Sequence, residues 1–465
     1  RARDIFQRQK AAAMAAPPPS LEARKTALEK LEGVLVAHQD AIAEAISADF
    51  GNRSIQETRI LELYPAIDGL RYTRRHLKQW MKPQRRHVAL TFLGARNRVL
   101  SQPKGVVGII APWNYPLFLV VSPLTSALAA GNRCMIKMAA NSQRLANLLH
   151  EILAPVFPQE LLAVLPGVAA RDFTPLPFDH LVFTGSPDSG RRVMRTASDN
   201  LTPVTLELGG KSPTLVAEDF NIQTAAERIL FAKYMNAGQT CVAPDYLLLP
   251  AHRLDAFLAA AAPIVQRRYP RLDTPDYTAI VDERSYQRLT GAIEDARAKG
   301  ARVIDLLEET APDPTLRKIP PTILTGVTDE MDVMQREIFG PLLPIKTYRT
   351  LDEAIAIINA RERPLALYLF TKDRGVQDTV LARTMSGGVS INDCAMHVAQ
   401  HDLPFGGIGN SGMGQYHGYE GFAEFSKLRP VFHQAARPLG AAFLYPPYGR
   451  VFDAVYKLLL KLRWL

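Results

Sequence analysis

At 465 residues the chain is too long for one ordinary hydrophobic core, so two or three domains are expected. Its 47% hydrophobic and 22% charged residues exclude a disordered or fibrous protein. The net charge of +9 comes without a nucleic-acid-binding signature or interleaved stacking aromatics, so no nucleic-acid partner is expected. Three cysteines without a CxxC pair or a zinc-type cluster argue against disulfides and a metal site, and favour a cytoplasmic location.

Neither end of the chain has the pattern expected of a secretory signal or a membrane-spanning segment. The first twenty residues are basic but lack the continuous apolar core of a secretory signal. The final stretch, VFDAVYKLLLKLRWL, is too short and too charged to span a bilayer. We expect it to dock as a helix at a subunit contact, with weak contact to a membrane surface as the alternative.

The first part of the chain is predicted to be helical. Apolar residues recur at helical spacing over 20–80, with Ser20 as a cap and Gly51 as a stop. Two extended runs, Val88–Leu93 and Arg98–Gln102, then predict a hairpin or arm. Nine Lys or Arg and no acidic residue occur between positions 71 and 98, which predicts a solvated basic face, with attraction of phosphate or anionic lipid as the alternative.

Strands and helices alternate from Gly105 onward. The predicted strands are VVGIIA, CMIK, LLAVLPG, HLVFTG and PVTLELGG, followed after Gly210 by TLVAED, YLLLP, ARVIDLL, PLLPIKTY, ALYLFT and GGVSIN. Continuous apolar strands separated by helices predict parallel sheets covered on both faces. The sequence therefore predicts an α/β fold with two doubly wound parallel-sheet domains, plus a β-hairpin and a C-terminal tail.

Polar residues follow two of the predicted strands. APWNYP continues the first strand, at the edge where such sheets bind ligands. There, Asn114 can donate its amide to a developing oxyanion, or it can simply be a turn residue. In FTGSPDSG, Gly185 and Ser186 precede a helix whose free N–H groups can bind a pyrophosphate; an ordinary capped turn is the alternative.

Two further residues suggest acid–base and nucleophilic chemistry. Glu207 interrupts the apolar strand of VTLELGGKSP, where burial would raise its pKa toward that of a general base. The alternative is a strand-end glutamate paired with Lys211 or another cation. In NAGQTCVAPD, Cys241 follows a predicted helix that ends at Gly238, so it lies on a loop instead of an apolar face. No histidine is near in sequence, so its activation would need backbone dipoles, a cofactor or a distant base.

Two motif-like patterns are rejected. Gly407, Gly409 and Gly412 form a G-x-G-x-x-G without a preceding strand, so we expect a loop with close backbone approach instead of a dinucleotide site. His397 and His401 have metal-pair spacing but lie in a loop without the glutamate of a zinc-protease helix. We expect no metal there.

Five motifs, taken together, resemble the aldehyde dehydrogenase superfamily. They are PWNYP, FTGS, LELGGKSP, GQTC and EIFGP, and the similarity runs from about Ser20 to about Lys427. The stretches MNAGQTCVAPDYLLLP, LPFGGIGNSGMGQYHG and GFAEFSK are most similar to the short class 3 branch, and within it to coniferyl aldehyde dehydrogenases. The resemblance implies oxidation of an aldehyde with NAD or NADP, and a homodimer.

The resemblance also implies a division of the chain and a set of site residues. It assigns 1–87 and 105–206 to a Rossmann-like cofactor-binding domain, 207–400 to a catalytic domain, and 88–104 with 401–465 to a bridging or oligomerisation arm and tail. Cys241 would attack the aldehyde, Asn114 and the Cys241 N–H would stabilise the oxyanion, and Glu207 would activate the water that hydrolyses the thioester. The residues expected to hold the cofactor are Trp113, Lys137, Gly185, Ser186, Gly190, Glu337 and Phe339.

One departure from the family pattern concerns the cofactor. Where the family usually reads KPSE, this chain reads KMAA, so Ala140 replaces the glutamate that would bind the adenosine ribose. Without that carboxylate the 2′-phosphate of NADP is not repelled, and Lys137 and Arg144 remain nearby. We expect tolerance of NADP, or weak binding of NAD.

Three functions remain open at this stage. The first is an aldehyde dehydrogenase acting on aromatic aldehydes such as a hydroxycinnamaldehyde, or on medium-chain aliphatic ones. The second is a catalytically altered relative with weakened cofactor binding and a binding or structural role, which only the KMAA stretch favours. The third is an acyl-phosphate or acyl-CoA reductase, which need not keep Glu207.

Overall fold

The structure is a computed structural model that describes residues 1–89, 92–307, 310–436 and 445–461. Its helices are α1 Ala2–Ala15, α2 Leu21–Ala37, α3 Gln39–Phe50, α4 Ile55–Thr58, α5 Tyr64–Trp80, α6 Phe118–Ala130, α7 Gln143–Leu153, α8 Ala170–Phe173, α9 Pro187–Ser198, α10 Ile222–Tyr234, α11 Leu254–Arg268, α12 Glu283–Ala298, α13 Asp332–Gln335, α14 Leu351–Asn359, α15 Arg374–Arg383, α16 Gly418–Glu424 and α17 Arg450–Lys461. A π-helical turn, Arg59–Leu63, joins α4 to α5.

The strands of the described residues form three sheets. They are β1 Gln84–Arg86, β2 Arg96–Pro103, β3 Val106–Ala111, β4 Arg133–Met138, β5 Leu162–Val164, β6 His180–Gly185, β7 Val204–Leu208, β8 Pro213–Val216, β9 Tyr246–Pro250, β10 Arg302–Asp305, β11 Thr322–Thr325, β12 Leu342–Tyr348, β13 Ala366–Phe370, β14 Gly388–Ile391, β15 Gly412–Met413 and β16 Ser426–His433.

The first large sheet has the order β15-β7-β6-β3-β4-β5. Strands β3 to β7 run parallel, and only β15 is antiparallel to its neighbour. The chain moves outward from β3 through β4 to β5, then returns to the other side of β3 with β6. The carboxyl ends of β3 and β6 therefore flank the point where strand order reverses, which is where doubly wound sheets bind ligands.

The second large sheet has the order β10-β11-β12-β9-β8-β13-β14. Its strands are parallel except for β10 at the edge. The predicted α/β class with two doubly wound parallel sheets is confirmed, and each sheet also has an antiparallel edge strand. Two strands of the large sheets, β11 and β15, were not predicted. β11 is only four residues long and follows two prolines, and β15 has only two residues, so neither shows a strand period.

The third sheet joins β1, β2 and β16 in antiparallel order. The predicted run Arg98–Gln102 lies within β2, whereas the strand predicted at Val88–Leu93 is wrong in its placement, since β1 ends at Arg86 and residues 90 and 91 lie outside the described part. β1 is polar and exposed, so it has no apolar alternation by which it could be recognised. β16, also largely exposed, pairs with β2 along its whole length and was not predicted.

The N-terminal helices pack on the first sheet. The Ser20 hydroxyl accepts from the Ala23 N–H at 3.2 Å and begins α2, and Gly51 ends α3 with φ 84°, as predicted. Helix α1 was not predicted. It packs Ile5 and Phe6 into the core on one face of the sheet.

The predicted basic face is partly neutralised, because Arg71 and Arg74 pair with acidic residues of α2. Helix α17 has no buried residue. Within the described ranges, no helix is both long enough and apolar enough to cross a bilayer.

A short connection joins the two large sheets. β7 ends at Leu208, and β8 begins only five residues later at Pro213, so the carboxyl edge of the first sheet adjoins the amino edge of the second. Cys241 lies just before β9, and the stretch Glu337–Pro341 lies just before β12, both at that amino edge. The fold thus brings the predicted site residues of both sheets to one junction.

Candidate active site

The loop that carries Cys241 has an unusual backbone. Helix α10 ends at Tyr234, earlier than predicted, because Asn236, Ala237 and Gly238 adopt left-handed conformations with φ of 51°, 50° and 75°. A side chain on Gly238 would place its Cβ 2.2 Å from the Gly340 carbonyl oxygen, so only glycine fits there. The loop therefore leaves the helix along a path that is fixed against the segment before β12.

Asn114 lies against this loop. Its side-chain amide donates to the Gln239 carbonyl at 3.2 Å, and its own carbonyl accepts from the Asn236 side-chain amide at 3.1 Å. Asn236 also donates to the Gln239 carbonyl at 3.1 Å. The predicted oxyanion donor is thus tied to the residue two positions before Cys241.

Cys241 is half-buried, whereas the other two cysteines, Cys134 and Cys394, are fully buried. Burial raises the pKa of the Cys241 thiol to about 12, and the charges of Glu337 and Glu207 add to the shift. The backbone N–H groups of Cys241 and Val242 donate toward the sulfur and act in the opposite direction. Use of Cys241 as a nucleophile requires that its thiol lose its proton.

Glu207 is the general base expected from the sequence. It is 2% exposed on β7, and neither carboxyl oxygen has a hydrogen-bond partner among the described residues. Burial raises its pKa well above the usual range. The alternative pairing with Lys211 does not occur, because Lys211 pairs with Asp245. Glu207 is therefore a buried carboxyl able to take and return a proton.

Glu337 lies beside the glycines that follow β7. Its Oε1 accepts from the Gly210 N–H at 3.1 Å, and a Cβ on Gly209 would lie 2.1 Å from its Oε2. Burial raises the Glu337 pKa to about 8. The neighbouring Phe339 ring meets the Trp113 ring edge-on, with centroids 5.4 Å apart. These contacts join the loop after β3 to the loop before β12.

A cavity of about 760 Å³ runs from the start of α9 to Glu337. Its wall includes Pro187, Gly209 and Gly210. Ser186 caps α9 by accepting from the Ser189 N–H at 3.4 Å. The cavity thus has the N-terminus of α9 at one end and the Glu337 carboxyl group at the other.

Glycine 190 sets the distance between α9 and the sheet. A Cβ on Gly190 would lie 2.7 Å from the Leu208 Cδ2, so a larger residue would push the helix away from β7. The N-terminal turn of α9 would move with it. Gly190 thus shapes the helix end of the cavity without offering it a polar group.

Lys137 is the penultimate residue of β4, and Ala140 and Arg144 follow that strand, at the same sheet edge as Asn114. The Lys137 ammonium donates to the Met138 carbonyl at 3.1 Å, and partial burial lowers its pKa. Ala140 is exposed and begins a 3₁₀ turn, and the Arg144 side chain is also exposed. At this edge, Lys137 and Arg144 are therefore cations, and Ala140 carries no carboxylate.

The two rejected motifs have local roles in the structure. A Cβ on Gly407 would lie 2.0 Å from the Ser411 carbonyl oxygen, which shows the close backbone approach that was expected. His397 Nδ1 lies 2.9 Å from the Ser390 hydroxyl, whereas His401 Nε2 lies 3.0 Å from an Asp68 oxygen. The two histidine rings therefore have different partners.

Sequence reasoning missed several residues near the site. Tyr416 is buried; burial raises its pKa, and the charges of Glu207 and Cys241 add to the rise. It falls within the quoted stretch LPFGGIGNSGMGQYHG, but only its position in the fold gives it a neighbour with chemistry. A buried ion pair between Arg53 and Glu62 was also missed, because it lies in a segment that reads only as helix.

Comparisons with known proteins agree with this geometry. A family model described as Aldehyde dehydrogenase family matches residues 2–431. A Pseudomonas aeruginosa protein named probable coniferyl aldehyde dehydrogenase is 50% identical over 461 residues, which is 98% of this chain and 96% of that protein. A dog protein named aldehyde dehydrogenase, dimeric NADP-preferring, is 36% identical, with 94% of each chain covered.

A solved structure shows the same overall arrangement. The structure described as the substrate-bound state of Staphylococcus aureus AldH superposes with a TM-score of 0.92 at 37% identity, and covers 98% of this chain and 99% of that one. The resemblance inferred from the five motifs is thereby confirmed.

Proposed function

Because the chain belongs to the aldehyde dehydrogenase family, in the class 3 branch close to coniferyl aldehyde dehydrogenases, we propose that it oxidises an aromatic or medium-chain aldehyde to the acid. An aromatic substrate such as a hydroxycinnamaldehyde is favoured by the name of the 50% identical relative. The observation that carries the proposal is the junction of Asn114, Glu207 and the Cys241 loop.

The first step is formation of a covalent adduct. The Cys241 thiol gives its proton to solvent, helped by the backbone N–H groups of Cys241 and Val242 that lower its pKa, and the thiolate sulfur attacks the aldehyde carbon to give a thiohemiacetal. The amide of Asn114 and the N–H of Cys241 donate to the oxygen that gains charge. Since Asn114 is already hydrogen-bonded to the loop, it needs no reorganisation for this role.

Of the residues that would hold a nicotinamide dinucleotide, Glu337 lines the cavity, and Gly185 and Ser186 lie directly before Pro187 in its wall. Gly185, Ser186 and the start of α9 would hold the pyrophosphate, Gly190 would keep α9 close, and Glu337 would hold a ribose. Lys137 would bind the other ribose, and Trp113 and Phe339 would pack beside the nicotinamide end. When bound, the cofactor supplies the hydride acceptor that the oxidation of the Cys241 adduct requires.

The last step is hydrolysis of the Cys241 thioester. Glu207 takes a proton from water, the resulting hydroxide attacks the thioester carbon, and the carbon–sulfur bond breaks. The acid leaves, and Cys241 is returned as a thiolate that the proton on Glu207 can neutralise. The burial of Glu207 suits it to this exchange, because its raised pKa keeps it basic.

The cofactor is proposed to be either NAD or NADP. Ala140 brings no carboxylate to repel a 2′-phosphate, and Lys137 and Arg144 are cations at the same edge. The relative named as NADP-preferring supports acceptance of NADP. An NAD preference of about a hundredfold or more in kcat/KM would contradict this proposal.

We further propose a cytoplasmic homodimer. The name of the dog relative includes the word dimeric, and the free thiols suit a reducing compartment. Residues 207–400 would form the catalytic domain, and the sheet of β1, β2 and β16 would form the bridging arm. Helix α17 would dock at the subunit contact, with weak binding to a membrane surface as the alternative.

One assay tests the proposed function. The purified protein is mixed with a panel of aromatic and aliphatic aldehydes and with NAD or NADP, and the absorbance of the reduced cofactor and the acid product are followed. Free acid is expected, whereas a thioester or acyl phosphate as product would favour a reductase. Reduction of neither cofactor by any aldehyde, with binding retained, would favour the catalytically altered relative.

A further inference from the structure

A buried ion pair lies beneath the candidate active site. The Arg53 guanidinium Nη1 lies 2.6 Å from the Glu62 Oε1, and both side chains are fully shielded from solvent. The other Glu62 oxygen accepts from the N–H groups of Leu117 and Phe118 at 2.7 and 3.0 Å, at the start of α6. A buried pair loses much of its Coulomb gain to desolvation, so stability alone is a weak explanation for it.

The same guanidinium reaches the candidate oxyanion donor. Arg53 Nη1 also donates to the Asn114 carbonyl at 3.0 Å. That carbonyl accepts a second hydrogen bond, from the Asn236 side chain at 3.1 Å. The carbonyl of Asn114 therefore accepts one hydrogen bond from Arg53, in the N-terminal helical region, and one from Asn236, in the Cys241 loop.

A second carboxylate, Glu57, accepts hydrogen bonds from the Cys241 loop itself. Both oxygens of Glu57 lie 3.1 Å from the Asn236 N–H, and the Thr278 hydroxyl donates to one of them at 3.0 Å. Asn236 is the first of the consecutive left-handed residues, a conformation that costs non-glycine residues energy and persists only where the surroundings hold it. Glu57 is placed to hold it.

Arg53 is the shared counter-charge of both carboxylates. Burial raises the pKa of Glu57 and of Glu62, and the positive charge of Arg53 acts against the rise in each case. The three residues thus form one electrostatic unit, the Arg53–Glu57–Glu62 cluster. One side of it contacts Asn114, and the other side contacts the start of the Cys241 loop.

We propose that the Arg53–Glu57–Glu62 cluster consists of positioning residues for the reaction, which fix Asn114 and the loop 236–240 relative to one another. The inference rests on the proposed function and adds to it residues that do not touch the reacting atoms. A misplacement of about 1 Å in a reacting group can cost about a hundredfold in rate, so a cluster that sets this distance affects turnover more than substrate affinity.

Glu57→Gln is the first test. It removes the charge and one of the two equivalent acceptors that face Asn236. The kcat is expected to fall about tenfold or more, with the aldehyde KM within about threefold of wild type. Alkylation of Cys241 by iodoacetamide is expected to slow, with its pH midpoint displaced upward, because the N–H groups that lower the thiol pKa shift away from the sulfur. Arg59→Gln is the matched control, since Arg59 forms an exposed ion pair with Asp40 in the same segment.

Asn236→Gly is the second test and removes no charge from the interior. Glycine accepts the left-handed backbone, so the loop keeps its path while the side-chain link to Asn114 is lost. The same pattern of lower kcat and nearly constant KM is expected. Arg53→Lys should retain more of the wild-type kcat than Arg53→Met, because only lysine keeps a donor and a positive charge.

The outcomes separate positioning from simple stabilisation. If Glu57→Gln and Asn236→Gly keep the wild-type kcat and alkylation rate per folded molecule, and only the melting temperature falls, the cluster is structural and the inference is wrong. If the wild-type protein oxidises no aldehyde, the proposed function fails instead. The alkylation profiles then still decide whether the cluster positions Cys241.

Discussion

Glu207 and Gly412 lie directly opposite each other in the antiparallel pair of β7 and β15. A Cβ on Gly412 would lie 2.2 Å from the Leu206 carbonyl oxygen, and its φ of 146° also disfavours a side chain. The absence of a side chain at 412 therefore allows the glycine-rich loop to close against the strand that carries the candidate base.

Gly412→Ala should displace this loop and loosen the position of Glu207. We expect the hydrolysis of the thioester to slow about tenfold or more, and the unfolding free energy to fall by about 1–3 kcal/mol. Gly33→Ala in α2 is the control, because a Cβ there meets no atom within 4 Å. Stopped-flow and steady-state rates measure the first effect and thermal unfolding the second. An alanine variant with wild-type hydrolysis would show that β15 does not position Glu207.

Glu207→Gln should change the pH dependence of stability. A carboxyl whose pKa is raised on folding stabilises the folded state while protonated, and this stabilisation is lost as pH rises above the unfolded value of about 4.3. The wild type should therefore lose stability relative to Glu207→Gln as pH rises above this unfolded value. Each pKa unit of elevation corresponds to about 1.4 kcal/mol.

Urea unfolding at several pH values measures this difference. Glu218→Gln is the control, because Glu218 is exposed near the end of β8. Parallel pH curves for wild type and Glu207→Gln would contradict the raised pKa.

The sequence predicted the two sheets well because their strands are long apolar runs, but it predicted the edges poorly. β1, β15 and β16 are short, polar or exposed, so their pairing depends on partners far away in the chain. In the same way, the motif residues around Cys241 were visible, whereas Arg53 and Glu57 have no local signature. Their place at the site follows only from the packing of the N-terminal helices against the Cys241 loop.

Asn114→Ala should remove the side-chain donor to the oxyanion. We expect kcat to fall by about 10²–10³, with a much smaller change in aldehyde KM, because the donor acts on charge that develops in the transition state. Asn200→Ala, at an exposed asparagine, is the control. Steady-state kinetics with one aldehyde measures both parameters, and an unchanged kcat would remove Asn114 from the mechanism.

Ala140→Glu should shift the cofactor preference toward NAD. A carboxylate at this position can bind ribose hydroxyls and repel a 2′-phosphate, so the KM for NADP should rise about tenfold or more. Ala140→Gln has nearly the same shape without the charge, so it separates repulsion from crowding. If both variants raise the NADP KM equally, charge does not determine the preference.

The central claim is that Cys241 forms the covalent intermediate and that Glu207 is needed to hydrolyse it. Intact-protein and peptide mass spectrometry of Glu207→Gln, quenched after mixing with cofactor and an aromatic aldehyde, tests this directly. The account predicts one acyl group per chain, located on the peptide that contains Cys241, and no adduct in the double variant with Cys241→Ala. An acyl group on another residue, or Cys241→Ala turning over near the wild-type rate, would contradict it.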